Sequence, residues 1–73
     1  MKTIRIVKNT DRCHCSIDNV PIVTFLYSNY KDRTNNSKEE HAISDAKVEC
    51  FNSLLRLNRE GIKAVINPYI LIL

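Results

Sequence analysis

Apolar and polar residues alternate with a period of two over residues 2–28 and recur with a period near 3.6 over residues 38–60, and this change of period separates strands from a helix. In KTIRIVK, residues 2–8, Ile4 and Ile6 fall on one side and Thr3, Arg5 and Val7 on the other. This is strand period with β-branched content. Asn9-Thr10-Asp11 has turn chemistry, and RCHCSI, residues 12–17, alternates again. Cys13, Cys15 and Ile17 share one face there, with Arg12, His14 and Ser16 on the other. Asp18-Asn19 reads as a tight hairpin turn without its usual glycine. The third strand, residues 20–28, carries apolar groups on both faces, which suits a central strand with Pro21 at its start.

A polar stretch without periodicity, residues 29–37, is long for so small a domain and reads as a mobile or contact loop. The following helix is predicted over residues 38–60. With Ile43 set at zero on a wheel of about 100° per residue, Ala46, Cys50, Leu54 and Leu57 lie within about 60° and Phe51 flanks them at about 80°. Ser37 and Glu40 fit a capping box, and the only glycine, Gly61, sits where a left-handed residue ends a helix. Ser44-Asp45 offers a second start, at residue 45. Ile43 is in phase with the later stripe and favours the longer helix. Residues 62–73 then read as a last strand, interrupted at Asn67-Pro68 and placed at an edge or bulge.

The order β-β-β-α-β predicts a single α+β domain, residues 1–73, in two layers: an antiparallel sheet with one long helix across one face. Ile43, Ala46, Cys50, Phe51, Leu54 and Leu57 are expected to cover Ile4, Ile6, Cys15 and Ile17. A chain of 73 residues buries a limited core, about 60% of its unfolded surface, so an added staple or an oligomeric partner is of value.

The formal net charge of +3 lies in the N-terminal half, where residues 1–36 hold six Lys/Arg against three Asp. Arg5 and Arg12 on the first hairpin, with Tyr30, Lys31 and Arg33 beyond the third strand, are the candidate contacts to phosphate or to an acidic partner. An RNP-like aromatic pattern and the GXXG of KH domains are both absent.

Three cysteines is an odd number, and Lys2 and Arg5 break any secretory signal, so a reducing, cytoplasmic setting is expected. No apolar run is long enough to span a bilayer. Cys13-His14-Cys15, with His41 and Cys50, supplies donors that zinc accepts, but strand geometry sends His14 away from its neighbours and no zinc spacing is present. The expectation is therefore no metal, no cofactor and no catalytic residue.

On the wheel Leu55 at about 120° and Val48 at about 140° widen the apolar arc to roughly 200°, more than one sheet buries. With Phe51, and with Tyr69 and Leu71 from the last strand, they form the predicted protein interface. The functional expectation is a small, non-enzymatic binding protein whose partner is a host complex or a second copy of the chain. Phages and mobile elements carry inhibitors of this size against host defence complexes, CRISPR and restriction enzymes among them, and an occluding inhibitor of that kind is the specific form expected. The alternative is a nucleic-acid-binding module built on the basic hairpin.

Overall fold

The protein is described here by a computed structural model covering all 73 residues. β1 (Lys2–Lys8), β2 (Arg12–Ile17) and β3 (Val20–Leu26) form an antiparallel meander. A 3₁₀ turn, Tyr27–Asn29, leads through a loop to α1 (Lys38–Arg59), and β4 (Ala64–Ile66) and β5 (Leu71–Ile72) follow. The strand order is β3-β2-β1-β4, with β5 also paired to β1. The architecture is α+β, one helix on a five-stranded sheet.

The sheet is mixed, however, not wholly antiparallel: β4 and β5 run parallel to β1. The reason is directional. Two hairpins leave β3 pointing the same way as β1, and the 22 residues of α1 carry the chain back by about 33 Å, so the next strand repeats β1's direction. The predicted last strand is split. Asn67 Oδ1 accepts the Tyr69 N–H at 2.9 Å, and this Asx turn with Pro68 lifts the chain off β1 between its two pairings.

The hairpin turn needs no glycine. Asp18 and Asn19 both take positive φ, 49° and 68°, the pair of conformations that matches strand twist. The Asp18 carboxylate accepts the Thr3 N–H at 2.8 Å and lies 3.6 Å from Lys2 Nζ. Those contacts, the Thr3 bond foremost, hold its carboxyl below the usual range. β3 is an edge strand, contrary to its central reading. Pro21 and Ile22 together oppose Ser16 in a bulge, and these two features protect the edge from pairing with another chain.

α1 begins where the capping box places it. Ser37 Oγ accepts the Glu40 N–H at 3.2 Å, and its hydroxyl lies 3.4 Å from Glu40 Oε1. The helix closes with Ile62 N–H to Leu57 O and Gly61 N–H to Asn58 O, a Schellman ending with Gly61 at φ 79°. The face that meets the sheet differs from the expected one. Ala42, Ala46, Cys50, Ser53 and Leu57 are its buried residues, a stripe centred about 60° from Ile43. Ile43 and Leu54 are half-buried, and Phe51 is exposed. Small side chains lie next to the sheet because they allow close approach, and the larger ones are displaced to the flanks. Beneath them the core consists of Ile4, Ile6, Cys13, Cys15 and Tyr27.

This rotation has a measurable consequence. Ala46→Leu overfills the contact and is expected to destabilise by about 1–3 kcal/mol. Phe51→Ser, which would destabilise strongly under the sequence-based orientation, is expected to change stability by no more than about 0.5 kcal/mol. Urea unfolding followed by circular dichroism measures both.

Candidate functional site

Register assigns every strand residue to a face. Ile4, Ile6, Cys13, Cys15, Val23 and Phe25 point to the helix, and Thr3, Arg5, Val7, Arg12, His14, Ser16, Thr24 and Leu26 point away. Val65 pairs with Thr3 and Leu71 with Val7, so both join the second set. No element covers that outer face, and its strand positions include no carboxylate. Val7 and Ser16 are nevertheless buried, shielded by their own neighbours in the sheet. Around them Ile22, Leu26, Val65 and Leu71 remain 36–45% exposed. Ser16 Oγ donates to Arg5 O at 3.3 Å, while Arg5 Nε is enclosed without an acceptor.

The basic cluster expected from the sequence is only partly assembled. Arg5 and Arg12 share the open face, although Arg12 is paired in two-pronged fashion with Asp11 at 3.0 and 3.1 Å. Lys31 and Arg33 lie on the loop before α1. Tyr30 is turned inward, its hydroxyl donating to Asp45 Oδ2 on the helix, and Tyr27 is buried with its hydroxyl on Asn9 O at 3.1 Å. The aromatic rings are thus withdrawn from the basic surface, where base stacking would need them. Burial first and the Asp45 carboxylate second push the Tyr30 hydroxyl up to about 12.

The expected apolar interface also divides. Val48, Phe51 and Leu55 lie on the back of α1, 58–62% exposed. Leu71 is on the opposite side of the molecule, on the open sheet face. Tyr69 sits at the exposed break between β4 and β5. Beside Phe51, a cleft of about 260 Å³ runs between α1 and the β4–β5 edge, lined by Ile6, Cys50, Ile66, Pro68 and Ile70. Ile22, Leu26 and Val65 were not among the predicted contacts. For Ile22 and Leu26 the signal is the two-sided apolar content of β3, which a covered central strand also shows, and for Val65 it is the apolar run of the last strand.

Cys13, Cys15 and Cys50 are free and buried, with Cys50 Sγ 3.4 Å from Cys15 Sγ. His14 faces away from them, and no three His, Cys, Asp or Glu side chains converge as metal ligands. Burial, reinforced by Cys15, raises the Cys50 thiol above the ordinary range, and burial raises Cys13 as well. Burial thus disfavours the thiolate form of both. No helix is long and apolar enough to cross a membrane. Comparison with protein-family models, curated proteins and solved structures finds no match.

Two measurements follow from this geometry. Native protein at pH 8 is expected to leave all three thiols unmodified by a thiol reagent over the time in which the urea-unfolded chain reacts fully. Tyr30 has a raised value in the folded state, so its contribution to stability is complete below pH 10 and is lost as pH climbs towards 12. Tyr30→Phe should remove that part of the alkaline decline and lower stability near neutral pH by about 1 kcal/mol through loss of the Asp45 bond.

Proposed function

We propose that this chain is a small binding domain, not an enzyme, and that the open face of its sheet docks an acidic protein surface. The supporting observation is the uncovered face itself: apolar side chains surround Arg5, Arg12 and His14, and no strand position there carries a carboxylate. Apolar area supplies affinity, while a centre held by Arg5 and His14, with Arg12 shared by Asp11, favours an acidic partner and speeds encounter. Nucleic acid is the weaker match, because phosphate could meet the cations but both nearby tyrosines, Tyr27 and Tyr30, are withdrawn and leave only the His14 imidazole to stack on a base.

A domain of this kind works by occupancy, covering a surface of its partner one to one. An inhibitor of a host defence complex, carried by a phage or mobile element, is the form of this reading that the chain's size and composition favour. A cytoplasmic setting belongs to the same proposal, since three free cysteines suit a reducing compartment.

Affinity capture with immobilised protein, before and after nuclease treatment, tests the assignment. Wild type should retain a discrete protein that survives nuclease and elutes with salt. Arg5→Glu with Leu26→Lys, still folded by circular dichroism, should retain it at least about ten-fold more weakly. Equal retention by the variant, or recovery of nuclease-sensitive material alone, would overturn the proposal.

A further inference from the structure

The back of α1 carries an apolar seam that is independent of the open sheet face. Val48, Phe51 and Leu55 are spaced three and four residues apart and centre about 170° from the buried stripe, pointing straight into solvent. Extending the same spacing reaches Ser44 at one end and Asn58 at the other. The seam therefore reads polar, apolar, apolar, apolar, polar, symmetric about Phe51. Such a pattern matches a second copy of itself, and the charges that flank it set the direction of the pairing.

We infer that the partner of this seam is a second copy of the chain, packed antiparallel through α1 about a two-fold axis near Phe51. In that arrangement Val48 meets Leu55 of the second copy, Phe51 meets its own equivalent, and Ser44 meets Asn58. The flanking charges agree. Asp45, one oxygen of which accepts the Tyr30 hydroxyl, and Arg59 both border the seam and stand nearly equidistant from its centre, so the second oxygen of each Asp45 faces Arg59 of the other copy. Asn52 faces Asn52. A parallel pair would instead set Glu40 beside Asp45 of its partner, two carboxylates together, and would align the helix dipoles unfavourably. The cleft beside Phe51, with Ile66, Pro68 and Ile70, extends the apolar area beyond the seam. A three-turn helix contact is smaller than the roughly 800 Å² per partner of a standard interface, so dissociation in the micromolar range is expected.

Sedimentation over a concentration series tests the pairing. Wild type should move from the 8.5 kDa monomer towards twice that mass as concentration rises. Val48→Lys with Leu55→Lys should remain folded, since both residues are exposed, and stay monomeric. Arg59→Asp, which places a carboxylate against Asp45, should weaken association about ten-fold. Orientation is read from cross-linking, with the native thiols buried and out of reach. Asn52→Cys should couple to its own equivalent, and Ser44→Cys should not. A monomer at every concentration up to about 1 mM, a dimer indifferent to the Val48 and Leu55 changes, or coupling through Ser44→Cys instead of Asn52→Cys would each overturn the inference.

Discussion

Close approach of α1 to the sheet, through a stripe of alanine, cysteine and serine, governs the rest of this structure. Ala42, Ala46, Cys50 and Ser53 project little from the helix, so the backbone settles directly over Ile4, Ile6, Cys13 and Cys15. Dense contact of small groups substitutes for a thick hydrophobic layer. Cysteine serves here as a small apolar residue, buried at all three positions. The same packing leaves no room for larger side chains at the centre. Leu54 and Ile43 lie at the margins, and Val48, Phe51 and Leu55 are left on the back of the helix.

Directionality follows from the connections. Tight turns join the first three strands, whereas a 22-residue helix joins β3 to β4 and returns the chain to the end from which β1 started. The last segment can then only run parallel to β1 and does so in two short pieces on either side of Asn67-Pro68. Both sheet edges are irregular as a result, one through its bulge and Pro21, the other through its break. Irregular edges discourage strand addition, which directs attention to faces instead of edges as binding surfaces.

A single helix shields one side of the sheet, and the consequence is two unpartnered surfaces on opposite sides of a small molecule. One is basic and apolar, without carboxylates on its strands. The other is apolar with acidic and basic flanks at opposite ends. Their charge patterns differ: Arg5, Arg12 and His14 mark the first, and Asp45 and Arg59 stand towards opposite ends of the second. A chain that buries only ten apolar residues as its core gains from covering either surface.

Much of the fold follows from local rules. Ser37 and Gly61 set the ends of α1, Asp18-Asn19 the hairpin, and Asn67-Pro68 the break in the last strand, because caps, positive φ and proline act within a few residues. The exposure of Val48 and Leu55 was legible for the same reason, since an arc of about 200° exceeds what one sheet can bury. The rotation of the helix about its axis was not. Hydropathy ranks Phe51 above Ala42, but the packing distance between helix and sheet favours the smaller residue, and that distance is a tertiary quantity. Nor could periodicity show that β3 lies at an edge, that Tyr27 and Tyr30 turn inward, or that Leu71 and Leu55 occupy opposite sides. An alternating strand states that two faces differ, and only the layer packed against it decides which face is left open.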